Sequence, residues 1–417
     1  CMSASPTHSL AQEVMRRVEE EPDALAWREL DGRARRSSWA EHFTASERLA
    51  WVLRTVGVGV GTPVVTMFPN DGGSFVSWTA LSYVGALEAA VNDAFPPAMI
   101  RSVVALSGAE FALIDGRYLE KWTQSAGANS LRVLLVIGDE KAQDAPAAPG
   151  VRVVWLEQLL TDVSVGAGPV IQRPEDPSVV ILTSGTTGAS KGVVIPWGMW
   201  WNRTAPGRLE PPDVFGPDGV NYSYLPVFHV SGRDAHVRAA RGQAPMATRE
   251  RFSVTNWLDD VKHSGATYHA SVGSIVEILM KSAPREDDRD HALKHILYGP
   301  VGPNVTEVEA RFGVRVLNTY GLTECVNPVR TWPFRLTKDE YASCGVADPA
   351  RTLRVVSETG EDVAEGEVGE LIVRDDRDGQ LMASGYLNDP AATAQTWRDG
   401  WFHTGDAFKR DADGRYY

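Results

Sequence analysis

The chain has 417 residues, with 41 basic and 54 acidic side chains and a formal charge of −13. It is too long for one hydrophobic core, so two or three packed units are expected. With 43% apolar and 23% charged residues, the composition excludes a predominantly disordered chain, and the acidic balance argues against nucleic acid as a partner, which demands basic surface. No apolar run approaches the roughly 20 residues that cross a bilayer. The opening residues lack a basic region followed by an apolar stretch, so no secretory signal is read there. Three cysteines, Cys1, Cys325 and Cys344, match neither a disulfide framework nor a metal-site spacing. A cytoplasmic protein without nucleic-acid or membrane partners is expected.

In chain order, a helical pattern over 46–56 precedes a short apolar strand at 64–68 and a second helical pattern at 75–92. Strands follow at 111–114, 133–137, 151–156 and 179–182. Helical patterns at 254–264 and 274–282 flank a strand at 266–270, and another strand falls at 314–317. Alternation of this kind predicts parallel sheets covered by helices. Stretches rich in Pro, Ala and Gly at 145–150 and 165–177 read as loops. After about residue 333 the texture changes to short strands, 353–357 and 370–374, separated by Gly, Glu and Asp turns, the pattern of an antiparallel β unit. The expected fold class is therefore α/β: two parallel-sheet subdomains, 1–165 and 166–332, and a small β-barrel-like subdomain, 333–417. The final DADGRYY reads as a turn leading into a strand, so a further C-terminal domain is expected to be missing, either cut off from this sequence or absent in nature.

The segment SVVILTSGTTGASKG at 178–192 carries the chemistry. An apolar strand feeds a loop of small and hydroxylated residues. Gly185, Gly188 and Gly192 allow positive φ and close backbone approach to a ligand. The hydroxyls of Thr183, Ser184, Thr186 and Thr187, with the loop N–H groups, can ring a phosphate, and Lys191 adds a mobile positive charge. Lys191 is followed by Gly192 rather than a hydroxyl residue, so this is not the Walker spacing.

TSGTTGASKG resembles the signature loop of the adenylate-forming superfamily, which includes acyl- and aryl-CoA synthetases, nonribosomal adenylation domains and luciferases. Three further segments follow in that family's order. NTYGLTE at 318–324 resembles its adenine and magnesium motif, at the carboxyl end of a strand where open α/β sheets bind ligands. The resemblance implies that Asn318, Thr319, Tyr320 and Gly321 line the nucleotide site, with Tyr320 stacked on adenine. It likewise implies Thr323 at the α-phosphate and Glu324, with Thr187, at magnesium. A hard divalent cation suits carboxylate oxygen and substrate phosphates. Gly299 and Pro300 stand where the family has its adenine wall, and Pro300 removes one N–H donor. WFHTGD at 401–406 resembles the motif whose aspartate, here Asp406, accepts both ribose hydroxyls, as a carboxylate's two oxygens can. LPVFH at 225–229 resembles the segment that sets a His beside the acyl pocket. On the resemblance that pocket would include His229, Val230, Arg233, Ser271, Gly273, Asn327 and Pro328.

Two departures bear on the substrate. The helix expected after His229 reads SGRDAHVRAARG, and its Arg233, Asp234, His236 and Arg238 are too many charges for a fatty-acid channel. Since burying an unpaired charge costs several kcal/mol, these groups face solvent or bind something polar. Trp197, Trp200 and Trp201 fall at helical spacing and are read as core or as the wall of an aromatic slot.

The resemblance implies ATP-dependent adenylation of an aryl or polar carboxylic acid with pyrophosphate release, then transfer to a thiol such as coenzyme A. ATP, Mg2+ and coenzyme A are the implied cofactors, and Lys191, Thr323 and Glu324 the implied catalytic residues. Family members also carry, on a separate C-terminal domain, a lysine that bridges the carboxylate and ATP. Two alternatives stay open: a superfamily member that activates nitrite to diazotise an aromatic amine, and a non-catalytic nucleotide-binding module.

Overall fold

The computed structural model describes residues 9–32, 34–125, 130–138, 150–156, 159, 168–183, 190–212, 214–216, 218–376 and 382–417. The chain divides into two compact units. One comprises Cys1–Gly198, Pro226–Gly242 and Ser384–Asn388, the other Met199–Leu225, Gln243–Ala383 and Asp389–Tyr417.

The first unit is built on an eight-stranded sheet. Its spatial order is Gly385–Tyr386, Lys191–Pro196, Pro177–Thr183, Leu87–Ala90, Pro63–Met67, Phe111–Asp115, Val133–Ile137 and Arg152–Trp155. The last six of these pair in parallel, while Lys191–Pro196 runs antiparallel to both of its neighbours. Successive side chains of a strand point to opposite faces, and both faces are apolar here. Val64, Leu113 and Leu135 join one core with Leu49, Leu53, Ala80 and Leu81 from the helices Trp39–Thr55 and Gly72–Val84. Val65, Ala112, Ile114 and Leu134 join another with Ile100, Val103 and Trp122 from Pro97–Ser107 and Leu119–Ser125. Strands buried on both faces read as continuous apolar runs, which is why the strands at 63–67, 111–115, 133–137 and 177–183 were visible in the sequence.

In the second unit five short parallel strands lie in the order Arg315–Leu317, His295–Leu297, Tyr268–Ala270, Asn221–Ser223 and Met246–Thr248. A three-stranded antiparallel sheet, Thr319–Leu322, Val326–Arg330 and Val346–Ala347, follows. A four-stranded one comes next, with Arg351–Val356, Gly369–Asp375, Trp401–Phe408 and Trp397–Arg398 in that order. Cys325 and Val329 from the former and Val355, Leu371, Val373 and Phe402 from the latter share one buried core. The architecture is the expected α/β class with a β portion toward the end of the chain. Among the described residues, no helix is long and apolar enough to cross a membrane.

Three readings change. The pattern over 75–92 is a helix, Gly72–Val84, that ends at Gly85 in the left-handed region and gives way to the strand Leu87–Ala90; Gly85 at the C-cap (φ +73°) is the stop signal. The strand Lys191–Pro196 was not anticipated. The charged helix, Val230–Ala240, does not face solvent: Arg233, Asp234, His236 and Arg238 are all buried.

Candidate active site

In the first unit, Thr183 ends one strand and Lys191 begins the next, and the two are cross-strand partners in an antiparallel hairpin. Ser184, Gly185, Thr186, Thr187 and Gly188 lie outside the described residues. Gly192 does not use positive φ. It sits in the strand, where an added Cβ would stand 2.9 Å from Val180 Cγ1, so close packing explains it. The Lys191 ammonium lies 4.6 Å from the centroid of the Tyr386 ring. Tyr386 comes from the two-residue strand that pairs with Lys191–Pro196. Nothing in the local sequence marks Tyr386, because strand pairing over that separation is invisible to a spacing argument.

His229 is the exposed N-cap of Val230–Ala240, its ring 4.8 Å from that of Phe228, and desolvation lowers its pKa. Val230 opens the helix and is half-buried. Arg233 is engaged within the protein. Its Nη1 and Nη2 donate to the two oxygens of Glu88 at 2.6 and 2.7 Å, and its Nε donates to Val227 O at 2.6 Å. The guanidinium carbon also lies 4.5 Å from the Trp78 ring centroid. Both side chains of the ion pair are 3% exposed. The sequence offered no way to pair Arg233 with Glu88, 145 residues away. Trp197 and Trp200 are buried, with Trp197 stacked on Trp78 at 5.6 Å, as the core reading expects.

In the second unit the motif at 318–324 is a strand and a tight turn. Thr319–Leu322 pairs with Val326–Arg330, and the turn 323–325 carries Thr323 and Glu324 at its tip. Val326 closes that turn with φ +53°, a left-handed conformation that a β-branched residue adopts only under strain. Gly321 is obligatory, since an added Cβ would stand 2.0 Å from Val326 O. Asn318 is locked: its Nδ2 donates to Ser343 O and its Oδ1 accepts the Thr319 N–H. Glu324 is 9% exposed, and its carbonyl accepts from Ala383 N at 2.8 Å.

The expected adenine and acyl walls also meet inside this unit. Gly273 N donates to Gly299 O at 3.1 Å, and an added Cβ on Gly273 would stand 2.2 Å from Pro300 O. Gly299 in turn abuts the Asn318 side chain, where a Cβ would stand 2.9 Å from Oδ1. Ser271 accepts the Tyr224 hydroxyl at 2.6 Å. Asn327 is held by Arg203, and Pro328 O accepts from Asp348 N.

Tyr320 and Asp406, 86 residues apart, meet directly: the Tyr320 hydroxyl donates to Asp406 Oδ2 at 2.5 Å. The Tyr320 ring packs edge-on against Phe408 at 4.7 Å, and burial with the adjacent carboxylate pushes its pKa up. Among the described residues no group of three His, Cys, Asp or Glu could hold a metal on its own. A single carboxylate, Glu324, fits a magnesium ion whose other ligands are substrate phosphates and water.

Comparison with known proteins agrees with this architecture. The family model described as AMP-binding enzyme matches residues 14–387. The chain belongs to that family of AMP-binding enzymes. It is 26% identical over 393 residues to 4-coumarate–CoA ligase 1 of Arabidopsis thaliana, spanning 91% of this chain and 69% of that one. It is 25% identical to the crotonobetaine/carnitine–CoA ligase of Salmonella arizonae, over 96% of this chain and 77% of that one. An inhibitor-bound crystal structure of the N-terminal domain of FACL13 from Mycobacterium tuberculosis shares the fold, with TM-score 0.81 at 19% identity over 98% of each chain.

Proposed function

We propose that the protein activates a carboxylic acid, aryl or polar, with ATP to give an acyl-AMP and pyrophosphate, and that the acyl group then passes to a thiol such as that of coenzyme A. The observation that carries the nucleotide part is the Tyr320–Asp406 hydrogen bond, which joins the proposed adenine and ribose residues in one place. The acid class rests on the relatives, which are ligases of 4-coumarate and of crotonobetaine/carnitine. It no longer rests on Arg233, whose charge is matched by Glu88. The cationic segment therefore gives no support to nitrite activation.

In this reading the substrate carboxylate, ionised at neutral pH, attacks the α-phosphorus in line. The new O–P bond forms as the bond to pyrophosphate breaks, and no proton has to be moved. The protein's part is positioning and charge neutralisation. Asp406 would accept the ribose hydroxyls, Tyr320 would face the adenine, Thr323 would reach the α-phosphate, and Lys191 would meet the phosphate oxygens. Glu324 would hold magnesium, which supplies further neutralisation of the triphosphate when bound. Acid-dependent pyrophosphate release, screened over aryl, polar, short-chain and amino acids with nitrite plus an aryl amine included, tests the proposal. ATP binding without release on any acid would instead favour a non-catalytic nucleotide-binding module, and release on nitrite alone the diazotising reading.

A further inference from the structure

Asp406 does not occupy a regular ladder position. Gly369–Asp375 and Trp401–Phe408 pair as Ile372 with His403 and Glu370 with Ala407, so the register breaks between them and residues 404–406 bulge opposite Leu371. Bulges of this kind free backbone groups and re-aim a side chain. Side chains satisfy the freed groups here. Thr404 Oγ1 donates to Leu371 O at 2.7 Å and accepts from Asp406 N at 3.1 Å. Glu370 Oε1 accepts the Gly405 N–H at 3.0 Å, and Gly405 is left-handed with φ +73°. The other oxygen, Oε2, is 2.9 Å from His403 Nδ1. Arg398 Nη2 is also 2.9 Å from that nitrogen, and one ring nitrogen cannot both donate and accept. A proton on Nδ1 facing the carboxylate is the stronger, charge-assisted arrangement. Glu370 thereby bridges the two residues that precede Thr404 and Asp406 in the bulge. A cavity of about 560 Å³, lined by Glu370, His403, Gly405 and Asp406 among others, runs alongside.

We propose that Glu370 is the positioning residue of the nucleotide site: its carboxylate holds the bulge that presents Asp406 to a ribose diol. The inference rests on the reading of Asp406 as the ribose anchor. Glu370 touches no nucleotide atom in this account. It acts only through the placement of the Asp406 carboxylate, so its effect should depend on the diol.

Calorimetric binding of ATP and of 2′,3′-dideoxy-ATP to the whole chain tests this, using Glu370→Ala, Glu370→Gln and Asp406→Ala, each checked for an unchanged circular dichroism spectrum. Asp406→Ala, which removes the acceptor of both ribose hydroxyls, should weaken ATP about a hundredfold, and Glu370→Ala, which displaces that acceptor, about tenfold, the loss of one good charge-assisted hydrogen bond. Both should leave the dideoxy nucleotide at parental affinity. Glu370→Gln, whose amide oxygen can still accept from Gly405, should recover most of the ATP affinity. If Asp406→Ala weakens ATP while Glu370→Ala does not, or if Glu370→Ala weakens both nucleotides equally, the positioning role is overturned and the ribose reading stands. If Asp406→Ala itself binds ATP like the parent, the ribose reading falls and this inference with it.

Discussion

Replacing Arg233 with Ala separates a structural from a substrate-binding role. The Arg233–Glu88 pair has side chains only 3% exposed, and it ties the helix Val230–Ala240 to the strand Leu87–Ala90 within the first unit. Glu88 also accepts the Thr66 hydroxyl at 2.5 Å, so both carboxylate oxygens have donors, and Nε, Nη1 and Nη2 of Arg233 each donate one hydrogen bond. Removing the guanidinium leaves a carboxylate in the core without its counter-ion, at a cost of about 3–5 kcal/mol. For a unit of roughly 200 residues, at about 2–4 °C per kcal/mol, the melting temperature should fall by about 6–20 °C. Tryptophan fluorescence is a suitable probe, because Trp78 packs against the guanidinium. The double replacement Arg233→Met with Glu88→Leu should regain much of the loss, since an apolar pair of similar volume needs no desolvation of charge. If Arg233→Ala melts with the parent yet changes the preferred acid, the structural assignment is refuted and Arg233 is a substrate contact.

Two other perturbations have definite signs. Burial holds His42 down to about 3 and His269 to about 4, and it places His236 well below the usual value. These rings stay neutral in the fold while the unfolded chain takes up protons near 6.5, so stability is full above that pH and declines as pH falls below it. Each ring contributes about 1.4 kcal/mol per pH unit in that window. Asp71, pushed up to about 6 by burial, acts in the opposite direction below pH 6, one group against these three rings and against His229 and His291, which burial also lowers. Urea unfolding at about pH 7.5 and 5.5 should show the decline, and His236→Phe should make it shallower; a flat profile would refute the argument. Glu324→Gln should raise the magnesium concentration needed for half-maximal pyrophosphate release several-fold, and an unaltered metal titration would remove Glu324 from that role.

What the sequence revealed was what local physics controls. Strands at 133–137 and 111–114 were legible because both of their faces are apolar, which leaves an unbroken run. Tyr320 and Asp406 were legible because NTYGLTE and WFHTGD resemble motifs of the adenylate-forming superfamily, and the structure brings the two side chains into a direct hydrogen bond. Two things were not. Arg233 reads as a solvated or substrate-facing charge because its partner, Glu88, lies in a short strand, Leu87–Ala90, whose residues continue the helical pattern past Gly85 and hide both the strand and the ion pair. Glu370 read as an ordinary strand residue because its value depends on a register shift, and alternation patterns do not report register.

Three candidate nucleotide residues of the second unit, Tyr320, Gly321 and Asp406, share one structural feature, which explains why register matters so much there. Each stands where strand pairing breaks: Tyr320 and Gly321 at the shift between Tyr320 and Leu322, and Asp406 at the shift opposite Glu370 and Ile372. A continuous ladder would saturate the backbone and alternate every side chain between core and solvent, leaving no carboxylate and phenol turned toward one another. The breaks cost backbone strain at Val326 and left-handed glycine at 405. They persist because Cys325, Val329, Leu371, Phe402 and Phe408 pack into one core around them. It follows that apolar substitutions in that core, such as Leu371→Ala, should erode nucleotide affinity as well as stability, although Leu371 presents no side-chain atom to a ligand. By contrast, truncation of an equally buried residue in the first unit's sheet, such as Leu135, should lower stability and leave the Tyr320–Asp406 geometry, and hence ribose recognition, intact.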